Sequence, residues 1–481
     1  MGLSRVLFRD RAAGLVCETH GRLLTLRRFF KTHRLNMRRY SSQNMNMRVS
    51  LALVLCGTLV SSVLALSWYQ VGQDIPLTGV RGLSFSRYED ERPRIAVSEE
   101  SSVPTIARVS VFELSPTSGW TQMGSSIDVT RFLSEHQVAL SGDLLVIGDV
   151  GVNNYKGQVR TYTWMESSNT WQLLGSPING QTTSGYGERL GYVVRASKRL
   201  QSATSSASYH KIAILSHMRV RVFTWDPSSE DWIQNGNDLP SPPFSFLAGT
   251  FRAMDIDDWL NYAVISDGYR IHRYADVLCI GCSSGWQLLN SVTLSTQSDG
   301  SSYEALAMSG NGGRVVVGNP SADSAGANAG TVQVYDFTST SRSQVGSDIY
   351  GANANDWLGT TLAMSSDGTR IVVRKFSPDA ASYVQILEYH ATSGWTQLGS
   401  EITVPQYIVG SVFDLDSQGS HVAVSVGDGS ASYVKVFKWG SAPPPPPPPS
   451  SWPPTATSGT QNHRIQALCL SALAVCVTLL V

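Results

Sequence analysis

The chain runs to 481 residues, with 42% hydrophobic and only 15% charged side chains and 42 glycines. That composition excludes wholesale disorder and favours an outward-facing all-β protein, as two to four domains or one repeat array. The zero formal charge sums unlike parts: residues 1–47 carry ten Arg/Lys against two acids, whereas residues 66–458 carry 25 against 35, an acidic body that speaks against a nucleic-acid partner.

Residues 1–46 are Arg-rich and acid-poor. They read as a leader or as a gene-model extension ahead of a start at Met45 or Met47. Residues 47–65 read as a signal peptide: Met47-Arg48 leads into an apolar run, and Val63 and Ala65 suit a cut after Ala65.

From residue 66 to 440 one motif recurs. A Trp-x-Gln-x-Gly-x-x-Ile phrase starts at Trp68, Trp120, Trp171, Trp232, Trp286 and Trp395, and a copy without Trp ends at Ile349. Successive copies stand 51 to 61 residues apart, the signature of a repeat array. Ahead of each later copy runs an alternating strand with an aromatic end: 107–114, 157–164, 218–225, 269–276, 330–337 and 382–389. The polar turn between strand and phrase predicts a β-hairpin. Two shorter strands precede each hairpin around tight turns such as the SSDG of 365–368. Each unit therefore holds four antiparallel strands, and the expected fold is an all-β, seven-bladed β-propeller. The first Trp phrase, 68–75, has no strand before it, and the last strand, 432–439, has no phrase after it. Each end lacks what the other has, so the two termini are expected to pair, completing the seventh blade and closing the ring. The fixed place of the Trp residues points to packing between blades rather than to sugar stacking.

Beyond the repeats, residues 441–460 form a Pro-rich stalk, with seven consecutive prolines from Pro443, expected as polyproline II. Residues 461–481 end in an apolar tail that reads as a GPI signal, with Ser458 and Gly459 as attachment candidates; a short membrane helix is the alternative. The expected location is the cell surface, by way of the secretory pathway.

The repeat order resembles the FG-GAP repeat of integrin α-chain-like propellers. Residues 355–365 (NDWLGTTLAMS) are similar to the FG-containing first strand, and Val317 to Pro320 (VGNP) to the GAP element. The resemblance implies Ca²⁺-holding loops. The nearest here, around Asp149 with Asn153 and around Asp323, offer one carboxylate each, against the six to eight oxygens the ion takes. They read as turns, and no cofactor is expected. No G-x-S-x-G, H-E-x-x-H or Walker A pattern occurs, and the histidines are scattered. Asp255, Asp257 and Asp258 read as a solvated loop before a strand. Cys279 and Cys282 read as a local disulfide.

These features predict a non-catalytic binding or adhesion module for an extracellular protein or glycan. The rival is a carbohydrate-active enzyme on a propeller core, which a convergent set of acids on one face would favour. The repeats differ most in loops that alternation puts on a single face. They gather Asn153, Tyr155, Tyr186, Arg189, Phe244, Phe246 and Asp323, the expected ligand contacts.

Overall fold

A computed structural model describes residues 66–442. It leaves out 88–91, 131–136, 202–207, 240–252, 278–284, 294–304, 376–381, 405–412, 428–431 and a few gaps of one to three residues. The stretches expected as leader, signal peptide and tail lie outside the described residues, as do Ser458, Gly459, Phe244, Phe246, Cys279 and Cys282.

Seven antiparallel sheets form seven blades, each of four strands and most with a short extra strand from the end of the Trp phrase. The first strands, Val80–Phe85, Val138–Ser141, Val193–Ala196, Ala253–Ile256, Ala305–Met308, Leu362–Met364 and Phe413–Leu415, meet in a ring, each touching the next and the last touching the first. The second strands read as unbroken apolar runs, such as Val315, Val316 and Val317, because a neighbouring blade covers each face. Burial falls into seven clusters, one for each junction between blades. The hydrophobic term is therefore spread around the ring rather than held in one core.

Both termini build the seventh blade. Leu66–Gln70 pairs with Ser432–Ser441 in the register Leu66↔Ser441, Trp68↔Trp439 and Gln70↔Phe437. Ile75–Leu77 extends the pairing at Ile75↔Val434.

The Trp residues latch blade to blade. Five of the six indole N–H groups donate to the carbonyl just before the glycine of the previous blade's phrase: Trp120 to Val71 (3.0 Å), Trp171 to Met123 (3.0 Å), Trp232 to Leu174 (3.2 Å), Trp395 to Val345 (2.9 Å) and Trp68 to Leu398 (2.8 Å), whereas the Trp286 indole N–H, buried between blades three and four, makes no hydrogen bond among the described residues. The glycine is needed because the indole lies against it. At Gly399, with φ +74°, a Cβ would stand 2.5 Å from Trp439 and 3.0 Å from Trp68. Within the blades, the same Trp residues meet the aromatic end of the third strand, as in Trp68–Trp439 at 5.5 Å and Tyr389–Trp395 at 5.3 Å between centroids.

The junction between blades four and five departs further from this scheme. Arg342 stands where the fifth blade's Trp would be, and Asn290 where the fourth blade's glycine would be. Both losses fall on the junction between blades four and five. Arg342 instead lies over Tyr335 at 5.0 Å and donates to the Thr293 carbonyl at 3.3 Å. Arginines reinforce the turns after the first strands: Arg273, Arg314 and Arg370 each donate at 2.9 Å to a turn carbonyl of the next blade, at Gly312, Gly368 and Gly419.

Candidate functional site

The two faces of the ring carry different chemistry. At the middle of the seven first strands stand Ser84, Ala139, Arg195, Asp255, Ala307, Ala363 and Asp414, one per blade, lining the central channel. A first strand is paired on one side only, so its other N–H groups need acceptors. Three of these side chains supply them to the next blade: Asp414 accepts from Phe85 N–H (2.8 Å), Ser84 from Leu140 N–H (3.2 Å) and Asp255 from Met308 N–H (2.9 Å). The turns after these strands also bond in series. Lys198 N–H reaches Asp258 O, Asp258 reaches Gly310, Gly310 reaches Ser366, and Ser366 reaches Ser417, at 2.7 to 2.9 Å.

The alanines leave room, and Arg87 fills it. From the turn after the first blade's first strand it crosses to the fourth blade, with Nη2 2.6 Å from Asp255 and Nη1 2.9 Å from the Ile256 carbonyl. Arg195 Nε holds the same Asp255 oxygen at 2.9 Å. Asp258 pairs with Lys198 Nζ at 2.8 Å and accepts from Ser366 Oγ at 2.7 Å. Asp257 accepts from the N–H groups of Asn261 (2.8 Å) and Tyr262 (2.7 Å). The expectation of a solvated loop at Asp255, Asp257 and Asp258 is therefore corrected: their exposures are 5%, 1% and 6%. Cations distant in sequence make that burial tolerable, since a charge leaves water only when paired and hydrogen-bonded.

Environment splits the acids. Burial disfavours the charge on Asp255, but the guanidinium groups of Arg87 and Arg195 outweigh it and hold the carboxyl below the usual range. At Asp414 burial wins over the N–H bonds and the two arginines, and the pKa is pushed up to about 6. Burial likewise lifts Asp257 to about 6. The channel void is small, ≈ 100 Å³, room for a few waters.

On the other face the structure brings part of the expected loop set together. Asn153, Asn154 and Tyr155 follow one another in the left-handed region, at φ 55°, 57° and 60°, and Arg189 joins them at φ 54°. Backbone bonds lock the two loops: Arg189 N–H to Tyr155 O (2.9 Å), Leu190 to Lys156 (2.9 Å) and Gly180 to Gly157 (2.9 Å). The Arg189 guanidinium lies 5.8 Å from the ring centre of Tyr155, which is 53% exposed. Asn153 Nδ2 meets Asn179 Oδ1 at 3.4 Å. Tyr186 belongs to a small hairpin, Thr182–Thr183 with Tyr186–Gly187, within the stretch expected as plain loop.

The same build recurs between blades five and six, where Trp357 N–H bonds Asn328 O (3.0 Å) and Leu358 bonds Ala329 (3.1 Å). Asp323 lies there, accepting from Asn328 N–H at 2.7 Å, and so stands in a different loop from Tyr155. Asp149 is buried, accepts from the N–H and hydroxyl of Thr130, and lies 3.7 Å from Arg160. Among the described residues no three His, Cys, Asp or Glu side chains are grouped to hold a metal ion.

Sequence reasoning missed Glu188 and Asp356, both fully buried under these loops. Arg221 holds Glu188 at 2.9 Å, and Lys375 lies 3.3 Å from Asp356. A shared signal was present in the chain, since each acid stands two residues before a Leu-Gly pair: Glu188-Arg-Leu-Gly and Asp356-Trp-Leu-Gly. At the second pair the backbones touch. A Cβ on Gly318 would lie 2.2 Å from the Gly359 carbonyl.

No family model and no curated protein matches the chain. Among solved structures it is similar to the periplasmic gluconolactonase of Pseudomonas aeruginosa, at 16% identity and a TM-score of 0.46, over 68% of this chain and 86% of that one. It is also similar to the Cps50 (Swd1) β-propeller domain of Myceliophteria thermophila, at 10% identity and a TM-score of 0.49, over 75% of this chain and 98% of that one. At these identities the likeness shows the propeller fold alone. The expectation of a non-catalytic protein is nonetheless corrected: enzymes stand among the propellers it is similar to, so neither the fold nor the lack of a short motif excludes catalysis.

Proposed function

We propose that the protein is a binding propeller displayed at the cell surface, which engages an extracellular protein through the Tyr155–Arg189 loop pair. The carrying observation is the exposed Tyr155 ring with Arg189 beside it, both on backbone held in the left-handed region. Non-glycine residues there cost about 1–3 kcal/mol each, and such strain concentrates at ligand-contacting loops. Tyr and Arg are also the side chains that dominate protein interfaces. The signal-like leader, the proline stalk and the resemblance to FG-GAP repeats support surface display and adhesion.

The test separates binding from stability. Arg189→Gly removes the side chain and relieves the backbone, and Tyr155→Ala removes the ring. The double variant should melt within a few degrees of the parent and bind cells or matrix about tenfold more weakly or worse, a loss of about 1.4 kcal/mol. Unchanged binding in the folded variant removes this face from consideration.

One observation favours a second reading. Asp255 and Asp414 meet the same arginines and have their acidities pushed apart, the pattern that assigns acid and base roles in enzymes. On this reading the mouth of the channel performs acid–base chemistry on a small polar substrate. Asp414→Asn would then abolish turnover while leaving cell binding intact.

A further inference from the structure

A second void lies on neither face. A groove of ≈ 370 Å³ opens between blades six and seven, beside the strand that closes the ring. Its lining includes Trp68, Tyr433, Phe437, Glu401, Thr403 and Lys435. The volume falls within the ~300–1,000 Å³ of small-ligand clefts, unlike the channel.

Comparison around the ring shows why it is there. The residue facing the third position of the Trp phrase is Phe112, Tyr162, Phe223, Tyr274, Tyr335 or Leu387 in the first six blades, each no more than 8% exposed. Phe437 occupies that place in the seventh blade, facing Gln70, and is partly exposed. Trp68 and Tyr433 are likewise only partly covered against the cluster between these two blades. Three aromatic side chains thus border one opening at the junction the termini build.

We infer that this groove binds a neutral pyranose oligosaccharide. Aromatic faces stack on the C–H faces of sugar rings, while hydroxyls need donors and acceptors at the rim. Thr403 offers both, Glu401 accepts and Lys435 donates. One carboxylate and one ammonium on the rim balance, which matches a ligand without net charge. A proline-rich peptide, the other usual guest of an aromatic groove, takes a hydrogen bond from a Trp N–H. Trp68 has already given its indole N–H to Leu398 O at 2.8 Å. Lys435, 5.4 Å from the Tyr433 ring centre and 3.8 Å from Asp74, is held by weak contacts that a ligand can replace.

The experiment titrates the full-length protein with chitotetraose and cellotetraose by calorimetry. At least one should bind with saturable heat. Tyr433→Ala should weaken it about tenfold or more, the usual effect of removing a central aromatic contact. Thr403→Trp, at an exposed strand position, should block the groove without touching the core, and serves if Tyr433→Ala fails to fold. Tyr155→Ala should leave sugar binding unchanged, which separates this groove from the loop face. The inference is overturned if neither sugar binds, if binding survives the folded Tyr433→Ala and Thr403→Trp variants, or if a heptaproline peptide binds there and the sugars do not.

Discussion

Single residues set the charge state of the channel, and their direction can be worked out. The carboxyls of Asp257 and Asp414 rise from an ordinary 3.8 to about 6 in the folded protein. Between those values the folded chain binds more protons than the unfolded one, so stability falls as pH rises through this window and levels off above about 6. Asp255 has the opposite sign: its depressed pKa adds stability above the ordinary value that is lost as pH falls below it. Urea unfolding from pH 4 to 7 should therefore show stability declining toward pH 6, with a shallower decline for Asp414→Asn. Because the depressed carboxyls of Asp255, Asp367 and Asp416 act in the opposite sense near pH 4, the deciding comparison is between the two proteins: an Asp414→Asn profile parallel to the parent's between pH 5 and 7 would contradict the raised carboxyl. These acids were the least legible part of the sequence. Three aspartates within four residues, 255–258, resemble a solvated turn, and the groups that bury them come from positions 87, 195 and 198.

The Trp phrase is the element whose meaning the sequence carried best. Its fixed place in the repeat pointed to packing between blades, and each latch is an indole N–H aimed at a carbonyl next door. Replacing Trp171 or Trp395 by Phe keeps most of the ring and removes that bond, so each should lose about 1 kcal/mol in chemical unfolding. Arg342→Ala, at the junction that lacks the Trp, should lose less than half as much, because Arg342 makes only exposed contacts. Equal losses at all three positions would mean the indole bonds contribute nothing of their own. The loop pairs were legible as unequal stretches. Their pairing with each other, and the buried Glu188 and Asp356 beneath them, depend on residues 19 to 34 apart in sequence meeting in space.

For the whole molecule, the two incomplete ends of the repeat array foretold the closure, since each terminus held the strand the other lacked. The groove between blades six and seven was not foretold, because partial exposure of Phe437 follows from what its neighbour fails to cover. Closure positions everything else: it fixes the ring of first strands, holds Arg87 opposite Asp255, and aligns Trp68 with Trp439. The most direct test is a cysteine pair at Ser67→Cys and Gly440→Cys, which face each other across the closing strands. Facing positions on antiparallel strands lie ~4.5–5.5 Å apart at Cα, within reach of a disulfide. In the folded full-length protein, mild oxidation should join the peptides containing residues 67 and 440 within one chain, as read by mass spectrometry without reduction. Free thiols at both positions in the folded, oxidised protein would contradict a ring closed by its two ends.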